Sequence, residues 1–327
     1  MRGGDFISPA EVRRTIMRLP SRKAPGYDGI TTTAIKQLPR RVIVALTRLY
    51  NGILRTGHFP TIWKQGRIIV LPKPGKDRRF PASYRPITLL PHIAKLFEKI
   101  TLNRVLPHVT LREEQFGFRR GHSTTSQLAR LTRVLHLLST EYNYERTSVG
   151  VFLDIEKAFD RVWHSGLLYK MNQQTSFPPA MLRLVASFLA DRSFYVCVED
   201  AESAVKPIRA GVPQGSCLSP ILYAAYTNDI PTLAGQLQEW EDDVELALYA
   251  DDSAYFTSSR RAHIAVAKMQ RLLDLLPPWL DDSSFRNSRS GDSGEKTEGR
   301  RYCSRWCKEA QGETHSSEDF RNGHQRN

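Results

Sequence analysis

Apolar and polar residues alternate along the first 282 residues in two periods, one typical of helices and the other of strands. The helical period first begins after Ser8, which is placed to cap a helix with Pro9 at its first position and Glu11 three residues after the cap. We expect this helix to end near Leu19. The same period predicts further helices within residues 30–57, 90–109, 124–142, 156–171, 178–192, 221–229 and 262–282.

Shorter apolar runs bounded by turn residues predict strands. They lie at residues 67–73, 84–90, 148–154, 193–200, 205–211 and 245–259. The run 148–154 indicates a buried strand that ends at Asp154, and the last run predicts two short strands joined at Asp251-Asp252. Because helices and strands mix without a regular βαβ order, we expect an α+β fold with an antiparallel sheet.

The composition changes abruptly near residue 282. Residues 283–327 contain no Leu, Ile, Val or Met, and Ser, Gly, Arg and Glu dominate them. A segment of this kind cannot bury a core. We therefore expect residues 1–282 to form the globular domain and residues 283–327 to be a disordered polar tail.

The charge balance favours a polyanionic partner. The chain has 47 Lys and Arg against 34 Asp and Glu, which gives a formal net charge of +13. Nucleic acid is such a partner, although a basic surface that only keeps the protein soluble fits the same charge. A membrane partner is disfavoured, because no run approaches the roughly 18 apolar residues of a membrane span. The four cysteines are too few and too unevenly spaced for a disulfide framework, which favours an intracellular location.

Three carboxylates are the strongest candidates for a functional site. Asp154 ends an apolar run, and Asp251 and Asp252 are adjacent between two apolar runs. If these strands are neighbours, the carboxylates converge and a divalent cation relieves their repulsion. Hard oxygen ligands of this kind suit magnesium. Two magnesium ions would activate a 3′-hydroxyl nucleophile and stabilise the leaving pyrophosphate. Each Asp taken singly is more often a turn or cap residue, and that interpretation stays open here.

Six motifs together resemble the reverse transcriptases of non-LTR, LINE-type retrotransposons, in particular the jockey group. They are APGYDGI, IVLPKPGKDRRFPASYRPITLL, EEQFGFRRGHSTTSQL, FLDIEKAFD, GVPQGSCLSP and YADD, and they occur in the family's order between about Ser21 and Ser258. The resemblance implies a right-hand polymerase fold with fingers and an antiparallel palm sheet. It implies an RNA-directed DNA polymerase that uses two Mg²⁺ ions, with Mn²⁺ as a substitute, on an RNA template, a DNA primer and dNTPs.

The resemblance also implies roles for individual residues. Asp154, Asp251 and Asp252 match the catalytic, metal-binding carboxylates. The residues that match positions near the incoming nucleotide are Lys73, Arg85, Phe159, Gln214 and Gly215. Phe159 matches a steric gate that favours deoxynucleotides, whereas its sequence context alone favours an apolar helix residue that faces the core. Gly215 fits either a close approach of the backbone to substrate or an ordinary turn before a helix.

The family pattern stops soon after Trp279, so we expect the thumb to be missing and the 283–327 tail to come from a shifted reading frame or an aberrant exon. Because the motifs begin near the start of the chain, we also expect the family's upstream endonuclease to be missing. The alternative to a working polymerase is therefore an inactive retrotransposon remnant that at most binds nucleic acid. Either form is expected in a nuclear or cytoplasmic ribonucleoprotein.

Overall fold

The computed structural model describes residues 6–80, 83–119, 121–140, 147–173, 177–199, 201–233 and 244–282, and the predicted tail lies outside them. Helices and strands are mixed in this part of the chain. The α-helices are α1 Pro9–Met17, α2 Thr32–Lys36, α3 Arg40–Thr56, α4 His92–Val105, α5 Thr124–Thr140, α6 His164–Gln173, α7 Pro179–Leu189, α8 Ser219–Tyr226 and α9 Ala262–Asp282. The strands are β1 Gln65–Pro72, β2 Tyr84–Leu89, β3 Thr147–Leu153, β4 Arg192–Val198, β5 Ala201–Glu202, β6 Lys206–Ile208, β7 Val244–Tyr249 and β8 Asp252–Ser259.

Two predicted helix boundaries are confirmed, the start of α1 and the end of α3. The Ser8 hydroxyl accepts a hydrogen bond from the Glu11 backbone N–H at 3.1 Å, as its capping position predicts. Gly57 ends α3 in the left-handed conformation, with φ of 70°. Pro39 separates α2 from α3, where the sequence predicted one continuous helical segment.

The prediction of one helix over residues 156–171 is wrong. Lys157 adopts a left-handed conformation with φ of 56°, and a single 3₁₀ turn follows at Ala158–Arg161 before α6 begins. A left-handed residue cannot continue a right-handed helix, so the chain after Asp154 turns back before it becomes helical.

Two sheets organise the strands. The larger sheet has the order β2-β1-β4-β5, and its β1–β4 pair is parallel. β5 pairs with the end of β4, and β6 pairs with the start of β4. The smaller sheet has the order β3-β8-β7 and is antiparallel throughout, which confirms the predicted antiparallel pairing for the sheet that carries the three carboxylates.

The prediction that β3 is buried is wrong. Its exposure alternates, and Phe152 is 73% exposed. The inward side chains Val149, Val151 and Leu153 pack with the cluster between this sheet and α9. The other face of the sheet is covered by α5, which packs against Ala247, Ala254 and Phe256 of β7 and β8. At the edge strand β3 this cover leaves Phe152 exposed, so β3 has the period-two pattern of a half-buried strand.

The main core lies among α1, α3, α4, α6, α7 and α8. Its centre is a group of aromatic rings whose neighbouring centroids are 5.2–6.1 Å apart, namely Tyr50, Phe59, Trp63, Phe97 and Phe188. Among the described residues, no helix combines the length and the apolar character that crossing a bilayer requires. The core packs these helices against one another.

Candidate active site

The β7–β8 hairpin places two carboxylates at its tip. Tyr249 pairs with Asp252, so the turn itself consists of Ala250 and Asp251. The predicted junction is therefore displaced by one residue, because Asp252 is already the first residue of β8. Ala250 has a φ of 61°, which matches the positive φ that a tight two-residue hairpin turn demands.

Asp154 reaches the same end of the sheet. Leu153, the last paired residue of β3, lies opposite Ser253 of β8, and Asp154 follows directly at the end of the sheet where β8 begins with Asp252. Asp154 and Asp251 lie near enough to Asp252 for their charges to raise its pKa. The fold thus brings together the three carboxylates that the sequence singled out.

These carboxylates stand in a mutually repulsive arrangement. Asp154 and Asp252 are exposed and Asp251 is half-buried. Partial burial raises the pKa of Asp252, and repulsion from Asp251 and Asp154 raises it further. A bound cation would offset this repulsion.

An aromatic row lies beside the carboxylates. The Phe159 ring is stacked on Tyr223 at a centroid distance of 4.9 Å, and Phe118 meets its edge at 6.0 Å. Tyr223 is fully buried, and its hydroxyl has no hydrogen-bond partner among the described residues. Burial raises the pKa of Tyr223, and the nearby carboxylates, Asp251 first, raise it further. Phe159 is half-buried, so the stack fixes its ring without enclosing it.

The loop before α8 lies against β2. The Gln214 carbonyl accepts a hydrogen bond from the Thr88 backbone N–H at 3.2 Å. Gly215 has a φ of 109°, and a Cβ there would lie 2.8 Å from the Thr88 carbonyl oxygen. Both Gln214 and Gly215 are exposed, so the loop presents them to solvent.

Lys73 and Arg85 lie on the β1–β2 hairpin, in the other sheet from the carboxylates. The Lys73 N–H donates to the Ser83 carbonyl at 2.7 Å, and Arg85 pairs with Leu71. The connection from this hairpin to the rest of the site runs through Thr88 and the Gln214 loop. The two cations are thus close to each other, and β2 links them to the loop.

Comparison with known proteins identifies the family. The family described as "Reverse transcriptase (RNA-dependent DNA polymerase)" matches residues 71–288. The chain belongs to the reverse transcriptase family. It is 41% identical over 284 residues to "RNA-directed DNA polymerase from mobile element jockey" of Drosophila melanogaster, a match that covers 86% of this chain and 30% of that protein.

A second protein of Drosophila melanogaster is similar to the chain to the same degree. The chain is 41% identical over 277 residues to "Probable RNA-directed DNA polymerase from transposon BS", covering 84% of this chain and 30% of that protein. This reverse transcriptase chain thus spans about 30% of the length of these relatives. Among solved structures, a telomerase of Candida tropicalis aligns over 80% of this chain and 58% of its own, with 14% identity and a TM-score of 0.48.

The candidate site has a support that the sequence analysis missed, the carboxyl group of Glu98 beneath the Gln214 loop. It accepts hydrogen bonds from the Ser216 hydroxyl at 2.5 Å and the Cys217 backbone N–H at 2.7 Å. Glu98 is completely buried, and burial raises its pKa. One signal was available, because Glu98 occupies the same stripe of α4 as the buried residues Ala94 and Thr101.

The donor set fits a magnesium ion in its chemistry. In the part of the chain that the structure describes, no three His, Cys, Asp or Glu side chains cluster closely enough to hold a metal ion. Magnesium, however, is usually held by one or two carboxylates, with water and substrate phosphates completing its shell. Three exposed or half-buried carboxylates at one sheet end, with the raised pKa of Asp252, are donors of that kind.

Proposed function

We propose that this reverse transcriptase chain is an RNA-directed DNA polymerase that extends a primer 3′-hydroxyl with dNTPs on an RNA template. The observation that carries the proposal is the register of β3, β8 and β7, which gathers Asp154, Asp251 and Asp252 at one end of a sheet. The names of the relatives from the jockey and BS elements support the reaction class. We propose that it works in a nuclear or cytoplasmic ribonucleoprotein with its template.

Asp154, Asp251 and Asp252 would hold the metal ions, Mg²⁺ or Mn²⁺ in its place. When bound, two such ions activate the 3′-hydroxyl and stabilise the leaving pyrophosphate. The carboxylates would hold these ions at the end of the sheet, and the reacting end of the primer would bind against the ions there. Their mutual repulsion makes cation binding favourable at this place.

The nucleotide would bind between the carboxylates and the loop. Gln214 and Gly215 are exposed, and the left-handed glycine lets the backbone approach the nucleotide without a side chain between them. Lys73 and Arg85 supply positive charge for the triphosphate. The Phe159 ring, fixed by its stack on Tyr223, would exclude a ribose 2′-hydroxyl.

Primer extension on poly(rA)/oligo(dT) tests the proposal. The chain should incorporate dTTP with Mg²⁺, and the Asp251→Ala/Asp252→Ala variant should lose at least about a hundredfold of this rate, because it lacks two of the carboxylates that would hold the metal ions. Incorporation by the unmodified chain no higher than by the variant would contradict the proposal. That result would leave a remnant that binds nucleic acid through its net charge of +13.

The same assay tests whether the Phe159 ring excludes ribonucleotides. Phe159→Ala should raise UTP incorporation relative to dTTP, because the ring that blocks the 2′-hydroxyl is removed. Phe118→Ala is the matched control, since Phe118 contacts the edge of Phe159 and belongs to the same aromatic row. Equal UTP to dTTP ratios in the Phe159 variant and the unmodified chain would contradict the gate.

A further inference from the structure

The tip of the β7–β8 hairpin is held by a segment that belongs to neither strand. Residues 114–117 run beside β7, with the Phe116 N–H donating to the Leu248 carbonyl at 2.9 Å and the Leu248 N–H donating to the Glu114 carbonyl at 3.0 Å. Gln115 forms a parallel bridge with Leu248. This segment therefore extends the sheet along β7 as far as the turn.

The Gln115 side chain forms hydrogen bonds with both backbone groups of the turn residue Ala250, and we call this pair of hydrogen bonds the grip on Ala250. Its side-chain carbonyl oxygen accepts from the Ala250 N–H at 3.0 Å, and its side-chain NH₂ donates to the Ala250 carbonyl at 3.3 Å. The same oxygen accepts from the Gly117 N–H at 2.8 Å. Gln115 is only 2% exposed, so water competes little for these groups.

The contact is too close for any other residue at position 117. A Cβ on Gly117 would lie 2.1 Å from the Ala250 nitrogen and 2.9 Å from the Gln115 side-chain oxygen. Glycine lets the segment approach the turn until the glutamine reaches it. The three residues Gln115, Gly117 and Ala250 thus form one packed unit.

The backbone conformation of Ala250 is unfavourable and needs support from its neighbours. Its φ of 61° is unfavourable for a residue with a Cβ, which costs about 1 kcal/mol or more. Asp251 and Asp252 follow directly, so the conformation of Ala250 sets the direction in which both carboxylates leave the turn.

We propose that Gln115 is a positioning residue for the metal-binding carboxylates. It holds Ala250 in the left-handed conformation and thereby fixes Asp251 and Asp252 relative to Asp154. The inference rests on the proposed function for the metal, while the grip on Ala250 is independent of it. Gln115 does not touch substrate or metal, and its effect passes through the turn.

Gln115→Met tests the grip, because methionine has nearly the same shape and neither hydrogen-bonding group. Amide exchange of the apo chain should become about tenfold faster at the Ala250 and Gly117 N–H groups, since one buried hydrogen bond is lost at each. Gln127→Met is the matched control. Gln127 is also buried and donates to the Leu248 carbonyl, at 3.4 Å, two residues before the turn residue Ala250.

Mn²⁺ binding, followed by electron paramagnetic resonance, should weaken roughly tenfold in Gln115→Met and much less in Gln127→Met. In primer extension, kcat should fall while the KM for dTTP stays nearly unchanged, because the Gln214 loop is untouched. Gln115→Glu keeps an acceptor oxygen and should keep the two amides protected. Adding Ala250→Gly to Gln115→Met should restore Mn²⁺ affinity, because glycine adopts positive φ without help.

Unchanged amide exchange at Ala250 in Gln115→Met, or equal Mn²⁺ losses in Gln115→Met and Gln127→Met, would overturn the inference. If Gln115→Met does not fold, the variant with Ala250→Gly decides, since recovered folding supports the grip and continued misfolding opposes it. An unmodified chain that neither binds Mn²⁺ nor extends a primer would instead remove the proposed function and with it the link to metal. The amide exchange would still report on the grip.

Discussion

Two loops of this reverse transcriptase are each held by one buried polar side chain from an earlier segment, but the two side chains differ in kind. The turn at Ala250 is held by the neutral amide of Gln115, and the loop at Ser216 is held by the carboxylate of Glu98. An amide offers a donor and an acceptor, so it satisfies both an N–H and a carbonyl of the turn. An ionised carboxylate only accepts, and the loop correspondingly presents a hydroxyl and an N–H.

Because of this difference, the two loops should respond differently to pH. The amide of Gln115 does not titrate, so the carboxylate turn keeps its support at every pH. Glu98 is completely buried, its second oxygen has no hydrogen-bond partner among the described residues, and burial raises its pKa. The buried Arg192 lies near enough to attract it, and burial lowers the pKa of Arg192 to about 10. The Ser216 loop is thus supported by a carboxyl group that can titrate, and the turn by an amide that cannot.

Removal of the Glu98 carboxyl group should have the largest effect. Glu98→Ala leaves the Ser216 hydroxyl and Cys217 N–H without their acceptor and Arg192 without its opposite charge, so we expect a loss of about 3–5 kcal/mol in the free energy of unfolding. Urea unfolding measures it, with Glu98→Gln as the control that keeps the shape. A loss below about 1 kcal/mol would show that the carboxylate is not the support of the loop.

Distortion of the loop backbone should have a smaller effect. Gly215→Ala combines a φ of 109° with a Cβ 2.8 Å from the Thr88 carbonyl, and we expect a loss of about 1–3 kcal/mol in the free energy of unfolding. Gly29→Ala is the matched control, because Gly29 also has a positive φ, 65°, but its Cβ would meet nothing within 4 Å. Equal losses in the two variants by urea unfolding would show that the contact with Thr88 does not constrain the loop.

The pH dependence should give the smallest effect. Because the folded-state pKa of Glu98 lies above its ordinary value, the native state binds more protons, and the stability contributed by this group falls as pH rises from about 4.5 through the raised pKa. Glu98→Gln cannot titrate, so it should gain stability relative to the unmodified chain as pH rises. Unfolding free energies measured from pH 5 to 8 check this, and parallel curves for the two proteins would contradict it.

The sequence predicted the parts of the site that are local. The adjacent pair Asp251-Asp252 and the apolar runs around it indicated a hairpin and a candidate metal site without any structure. The approach of Asp154 required the pairing of β3 with β8, which the sequence allowed but did not determine. The left-handed turn at Lys157 was missed because a lysine carries no signal for positive φ.

The supports of both loops were missed for a different reason. Gln115 lies 135 residues before Ala250, and Glu98 lies 118 residues before Ser216. Neither partner can be identified from periodicity, since a buried polar residue looks the same in sequence whatever it contacts. Glu98 at least interrupts an apolar stripe of α4, whereas Gln115 sits in a segment without regular periodicity.

The most direct test of the account is whether Asp154 and Asp251 serve one cation site. Mn²⁺ binding should be measured by electron paramagnetic resonance for the unmodified chain, Asp154→Asn, Asp251→Asn and the double variant. The account predicts that each single change weakens binding by more than about tenfold and that the double variant is little worse than the weaker single one. Mn²⁺ affinities that are unchanged in the single variants, or losses that simply add in the double variant, would contradict it.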